Sequence, residues 1–403
     1  MLYDHISVGG GVIGINTTLN ILNKFLKCKF KKKIRLCVID KDISNIPGGI
    51  AYGKKTSTHG YFNNPLRLSH QELQKYYKNI DNFLKLKNYL QINGSQYDFK
   101  KFESNLNILK TKNKKKIKEV YLPRVAFAFL QENSLAKVIK KIIKLKKNIE
   151  VDFYQGEVSK FIKYKNDYFK ILTKENFIQF YINNEDLKKS QISFLKQNKK
   201  IKSFVCKNLT LGLGVTPPQK LTGNKKFNDD YIWDFYAEGG TSYLIKKLKR
   251  KIESLKEIKL CFIGSKAGFL ESLQEIYRLK IKNKKLKIFC FSKKFETLQP
   301  AKISYKKKIK LRYLKKSNKL IDTAEKLYSA IFKELSISKK NINLKYLIWT
   351  EILSQNILDY FLAKFSQKQL TIYQTKYFQK IRSLTRFTFP ETIKVKDIMI
   401  KKK

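Results

Sequence analysis

Acidic residues are scarce in this 403-residue chain: 32 Asp and Glu stand against 86 Lys and Arg, a formal charge of +54. Histidine is rarer still, and the three present (His5, His59, His70) are not spaced as metal ligands, nor is there an HExxH-type helix. The five cysteines (Cys28, Cys37, Cys206, Cys261, Cys290) are odd in number and contain no CxxC pair. That excludes a disulfide framework and a zinc ribbon. Cys37, Cys261 and Cys290 sit in apolar, strand-like runs and are expected in the core. No window approaches the run of about 18 apolar residues that a membrane-spanning helix needs. The N-terminus also lacks the basic, apolar, small-residue order of a signal peptide. With reduced thiols, this predicts a cytoplasmic protein without a transmembrane segment.

What is abundant is lysine, scattered from Lys24 to Lys403. Proteins that read bases and phosphates favour the planar fork of arginine, and neither a nucleic-acid motif nor an interleaved aromatic and basic patch is present. The charge is therefore expected to be a solvated surface with no specific nucleic-acid partner. It attracts small polyanions, with strong salt dependence. A hydrophobic content of 42% with 13% aromatics is that of a folded chain, long enough for two domains or for one domain with a second inserted.

The N-terminus reads as strand, glycine turn, helix, strand: DHISV, GGGVIG, INTTLNILNKFLK, then IRLCVID ending at Asp40. A loop follows at Pro47, Gly48 and Gly49. Residues 66–94 carry a helical pattern, residues 98–118 read as a surface excursion, and a long amphipathic helix is predicted after Pro123. Beyond it, NIEVDFYQGEVSKFIKY and DYFKILT predict two or three antiparallel strands, and the polar run 183–202 predicts a loop before the strand SFVCKNLTLGLG. A second strand–turn–helix–strand unit is predicted in IKLCFIG, SKAGFLESLQEIYRLK and LKIFCFSKK. From Thr323 the pattern is helical, with Trp349 in an amphipathic stretch, and the chain closes on the strand-like TIKVKDIMI.

Gly9-x-Gly11-x-x-Gly14, with Gly10 inside it, follows a strand and opens a helix, the context in which this pattern binds a dinucleotide diphosphate. Gly9 makes the tight turn, Gly11 lets backbone approach the diphosphate, and Gly14 permits close helix–strand packing. The helix start supplies unpaired N–H groups and the positive dipole end. Asp40, 26 residues beyond Gly14 at the end of the second strand, is placed to accept hydrogen bonds from a ribose diol.

The run GGIAYGKKTSTHGYFNNPLRLS resembles the signature of bacterial FAD/NAD(P)-binding oxidoreductases, a group that includes flavin-dependent urate hydroxylase-like members. The matching residues are Gly49, Ala51, Tyr52, Gly53, His59, Asn63 and Pro65. LPRVAFAFL resembles the family's Pro-Arg segment at Pro123 and Arg124, and LTLGLGVTPP its Ala-Thr-Gly turn. IGSKAGFLESL with FSKK resembles its second dinucleotide half. The resemblance spans roughly the first three hundred residues. It implies that Gly9, Gly10, Gly11, Gly14 and Asp40 hold the ADP half of FAD, and that Ala51, Tyr52, Gly53, Asn63 and Pro65 line the flavin side. It further implies that Arg124 contacts phosphate or ring, and that Val158 offers backbone atoms to adenine. His59 is the sole candidate for acid–base work.

This sequence departs from the family in three places. The Ala-Thr-Gly turn is Gly212-Leu213-Gly214, which drops a hydroxyl but keeps the glycine. In the second unit Gly264 is followed by Ser265 and Lys266, so a side chain occupies the middle glycine position, while Lys293 and Lys294 are suited to a 2′-phosphate. The family's C-terminal return to the flavin is not recognisable.

The fold expected is α/β, a two-dinucleotide-binding, Rossmann-like flavoprotein. A three-layer FAD domain (1–235) is followed by a NAD(P)-like domain (236–310) and a helical C-terminal region (311–403). The function implied is an FAD-dependent, NAD(P)H-using oxidoreductase acting on a small molecule, with a monooxygenase as one form of it. The missing CxxC removes the disulfide-reductase branch. A degenerate FAD-binding protein without turnover, and a basic protein working on nucleic acid or an anionic membrane surface, are the alternatives.

Overall fold

The computed structural model describes residues 2–28, 32–54, 66, 71–93, 122–164, 167–214, 232, 241–254, 257–264, 267–279, 285–292, 299–300, 309–339, 341–385, 387–388, 396 and 399. The chain divides into two compact units, residues 1–62 with 70–243 and residues 63–69 with 244–403. The stretch 98–118 lies outside the described residues.

In the first unit, β1 (Leu2–Val8) and β2 (Ile34–Asp40) run parallel on either side of helix α1 (Val12–Lys27) in the chain. Helices α2 (Gly49–Tyr52), α3 (Gln71–Tyr76), α4 (Ile80–Asn93) and α5 (Ala126–Lys144) come next. The remaining elements are β3 (Ile149–Gln155), β4 (Val158–Lys163), β5 (Phe169–Ile182), the short helix α6 (Asn184–Lys188) and β6 (Phe194–Leu211). Among the described residues these strands form one sheet in the order β3-β2-β1-β6-β5-β4. The β3, β2, β1 and β6 pairings are parallel and those of β4, β5 and β6 antiparallel.

Strand β2 shows why three layers form. It is almost continuously apolar, as a parallel strand covered on both faces must be. Its even positions, Ile34, Leu36 and Val38, join Ile15, Leu19 and Leu22 of α1 and Leu135, Val138 and Ile142 of α5. Its odd positions, Cys37 and Ile39, join Tyr154, Ile171, Phe177 and Phe204 on the opposite face. The spacing of Ile15, Leu19 and Leu22 is the one-face period of a helix.

Two expectations for this unit change. β3 is not part of an antiparallel meander at its start: it pairs parallel with β2 along its whole length, and only Phe153–Gln155 also meet β5 antiparallel. The polar run 183–202 is not a loop either. It holds α6, capped by the Asn183 side chain, and the first part of β6, paired from Ile182↔Phe194 to Phe177↔Ile201. Residues 195–200 of β6 are exposed, so backbone pairing holds this strand without any apolar alternation to betray it.

In the second unit, α7 (Thr241–Ser254) leads into β7 (Glu257–Ile263), α8 (Ala267–Arg278) and β8 (Lys285–Phe291), with β7 and β8 parallel. Helix α8 packs Phe269, Leu270 and Leu273 onto Phe262, Ile288 and Cys290. Because side chains alternate along a strand, Cys261 points the other way and is exposed, contrary to its expected place in the core. Two-residue strands β9 (Gln299–Pro300) and β10 (Phe387–Thr388) pair in parallel.

The expected helical region is present as α9 (Ala324–Ser336), α10 (Ile342–Ser354), α11 (Ile357–Leu362) and α12 (Gln367–Ile372). A π-helical turn (Tyr373–Tyr377) continues α12 into α13 (Phe378–Leu384). Thr323, Asn341 and Ser366 cap α9, α10 and α12 through their side chains. Leu327, Ile331, Ile348, Ile352, Phe361 and Tyr377 belong to one core. In the closing stretch, expected as a strand, the described residues Lys396 and Met399 are helical. No helix among the described residues is long and apolar enough to cross a membrane.

Candidate functional site

The chain's own packing demands three of the four glycines that open α1. Gly9 has φ +97°, and a Cβ there would lie 2.1 Å from the Gly212 carbonyl oxygen. Its N–H donates to the Ile39 carbonyl at 2.7 Å. A Cβ on Gly10 would meet Ile46 Cγ1 at 2.2 Å, and one on Gly14 would meet the Gly9 oxygen at 1.9 Å.

Gly11 is different. Its φ of −74° suits any residue, and a Cβ would find its nearest neighbour, Gly49 Cα, at an ordinary 3.6 Å. No side chain caps α1, and no acidic residue lies in its first turn. The positive end of a 16-residue helix is thus left without an anionic side chain of its own.

Opposite Gly11 lies a second glycine loop, in which Gly48 (φ +105°) and Gly49 (φ +67°) take a conformation that L side chains avoid. Gly11 and Gly48 form an isolated parallel bridge. The loop turns into α2, closed by the Gly53 N–H donating to the Gly49 carbonyl at 2.8 Å. Ala51 is exposed on it, and half-buried Tyr52 leans on Phe127 of α5 with ring centroids 5.9 Å apart.

Asp40 ends β2 as expected, and its carboxylate braces this region. Oδ2 accepts the Gly10 N–H at 2.7 Å and Oδ1 the Asp42 N–H at 3.0 Å, with a further hydrogen bond from the Asn45 side chain. Burial pushes its carboxyl above the ordinary value despite these donors. The Asp40 carbonyl accepts the Gly156 N–H at 2.9 Å. That sets Val158, the first residue of β4, just beyond the end of β2. On the other side Gly212, at the end of β6, donates to the Val8 carbonyl at 2.7 Å, and Gly214 follows with φ +73°. Arg124 is half-buried in the turn that starts α5, its carbonyl accepting the Phe127 N–H at 3.1 Å.

Two residues of α5 went unnoticed in the sequence. Gln131, 1% exposed, donates through Nε2 to the Val12 carbonyl at 3.2 Å and to Asn16 Oδ1 at 2.9 Å, so it holds the first turn of α1. Its Oε1 is buried and has no hydrogen-bond partner among the described residues. Glu132, 3% exposed, accepts on Oε1 from Lys54 Nζ at 2.7 Å and from the Ile192 N–H at 2.9 Å. Their signal was a polar Gln-Glu pair on the helix face that also buries Ala128 and Leu135.

The second unit repeats the turn. Val8 pairs with Ile39 in the first unit and Ile263 with Phe291 in the second. Gly264 has φ +103°, and its N–H donates to the Phe291 carbonyl at 2.7 Å, as Gly9 does to Ile39. By this register Ser292 stands where Asp40 stands in the first unit. Ser265, Lys266, Lys293 and Lys294, like His59, Asn63 and Pro65, lie outside the described residues.

No protein-family model matches the chain, and no curated protein does. Among solved structures it is similar to FAD-bound DfoA, the cadaverine monooxygenase of desferrioxamine biosynthesis from the fire blight pathogen Erwinia amylovora. The identity is 13% and the TM-score 0.37, over 89% of this chain and 67% of that one. At that level of likeness nothing about binding or activity transfers to this chain.

Proposed function

We propose that the glycine cradle at the start of α1 seats the diphosphate of FAD, and that the chain is an FAD-dependent oxidoreductase of the monooxygenase kind. One observation carries this: Gly11 is a glycine that neither its backbone angles nor its neighbours require, at the uncapped positive end of a helix. A phosphate approaching the main chain supplies the missing reason. The buried Gln131 Oε1, which has no partner among the described residues, lies beside the same helix turn and fits a ligand that also brings hydroxyl donors.

In this reading Gly9, Gly10 and Gly14 shape the turn, and Gly11 with the α1 amides receives the diphosphate. Asp40 holds the turn in place and offers its remaining acceptor capacity to a ribose diol. Val158 gives main-chain atoms to adenine. Ala51, Tyr52 and Gly53 line the flavin side, and Arg124 meets phosphate or ring. Gly212 and Gly214 let the chain pass close by. Bound FAD supplies hydride acceptance and, once reduced, electron delivery to a substrate or to O₂.

The NAD(P)-like domain expected at 236–310 is the candidate for NADP or NAD. Its shared turn geometry supports a dinucleotide, and a serine in place of Asp40, followed by two lysines, favours a 2′-phosphate over a bare diol. Lys266 at the middle glycine position favours the competing reading, an FAD protein that no nicotinamide reduces. An absorbance spectrum of the purified protein with added FAD, before and after anaerobic NADPH, tests both. A flavin spectrum that bleaches supports the oxidoreductase, one that persists leaves FAD binding without turnover, and protein that takes up no FAD defeats the proposal.

A further inference from the structure

In the second unit, the segment before α9 is fixed from beneath by one buried acid. Glu334, fully buried in α9, accepts the main-chain N–H groups of Arg312 (3.0 Å to each oxygen), Tyr313 (2.6 Å) and Leu314 (3.2 Å). Asn318 ties the loop to itself, donating to the Tyr313 carbonyl at 3.3 Å and accepting the Leu320 N–H at 3.1 Å. The loop thus presents Lys316 and Lys319 in a set conformation.

Beside them α11 and the turn after it bring Tyr360, Phe361, Lys364 and Phe365, and together these residues line a cavity of about 440 Å³. Lys364 Nζ donates to the Tyr360 hydroxyl at 2.6 Å and lies 4.1 Å from that ring's centre, with Lys316 Nζ 5.7 Å from the same ring. Among the described residues none of the three lysines has a carboxylate partner. The acid in the lining, Asp322, is bonded to Lys326 at 2.9 Å, outside the cavity. The three exposed lysines give this concavity a positive charge that its one lining acid, paired with Lys326, does not offset. Phe361 and Phe365, 2% and 8% exposed, give that concavity an apolar floor.

We propose that this cavity is a binding site for a small organic anion carrying two or more negative charges on an apolar body. The anionic group is held by Lys316, Lys319 and Lys364, and the body rests on the phenylalanine floor. The site is independent of the FAD proposal. Calorimetric titration of the full chain, kept in about 0.15 M salt so that diffuse attraction is screened, tests it with 1-naphthyl phosphate, 1-naphthoate and inorganic phosphate.

Saturable binding of naphthyl phosphate is expected, with Lys316→Gln and Lys364→Gln each weakening it about tenfold, the loss of one charge-assisted hydrogen bond. Tyr360→Phe, which keeps the ring, is expected to cost less. Lys333→Gln, an exposed lysine of α9 outside the lining, should change nothing. Naphthoate, with one charge, and phosphate, with no apolar body, should each bind more weakly. The proposal is overturned by absence of saturation, by equal losses in the Lys333 and Lys316 variants, or by phosphate binding as tightly as its naphthyl ester.

Discussion

His5 sits one residue pair below the glycine turn, with Nε2 3.2 Å from Ser7 Oγ. Ser7 Oγ is 3.3 Å from Thr18 Oγ1, which donates to the Gly14 carbonyl at 2.9 Å. These side chains join β1 to α1 beneath the cradle. Burial lowers the pKa of His5 below its ordinary 6.5. A group depressed in the folded state adds stability that is fully present above its unfolded value and lost as pH falls through the folded one. Melting temperature is therefore expected to fall more steeply between about pH 7 and pH 5 for the native chain than for His5→Gln. Parallel curves would remove His5 from the account.

Asp40→Ala leaves the Gly10 and Asp42 N–H groups without their acceptor, so a loss of about 1–3 kcal/mol in urea unfolding is expected, with weaker FAD binding. At this scale the glycines and Asp40 were legible because their chemistry requires a fixed spacing. Gln131 and Glu132 were not, because a polar residue on a mainly apolar helix face reveals no partner until the fold supplies one.

Among elements, α1 and α5 could be read from residue period, since each buries one face, and β2 from a short apolar run, since it is covered on both faces. The first half of β6 could not, being polar on both faces and held by main-chain pairing. The second βαβ unit was legible as strand, turn and helix, but its exact equivalence to the first emerged only from register. The loop over α9 gave no pattern at all, yet a single carboxylate fixes it. Glu334→Ala strips three main-chain donors of a buried acceptor. A loss of about 3 kcal/mol or more is expected by urea unfolding of the full chain. A change below about 0.5 kcal/mol, the range of ordinary surface substitutions, would show that the loop holds without it.

For the whole molecule, composition set one property that the fold does not alter. A net charge of +54 draws anionic cofactors toward the chain from a distance. FAD affinity is expected to drop as salt rises from about 0.05 to 0.5 M, where screening shortens the reach of that field. Affinity independent of salt would assign binding to the cradle contacts alone.

The central claim is tested most directly at Gly11. In Gly11→Ala, the added Cβ fits the backbone angles and meets its nearest described neighbour, Gly49 Cα, at an ordinary 3.6 Å. The melting temperature of the FAD-free protein should hold within a few degrees, about 1 kcal/mol or less, while FAD titration, followed by flavin fluorescence, shows affinity reduced at least about tenfold. A folded variant that binds FAD as tightly as the native chain would contradict the account.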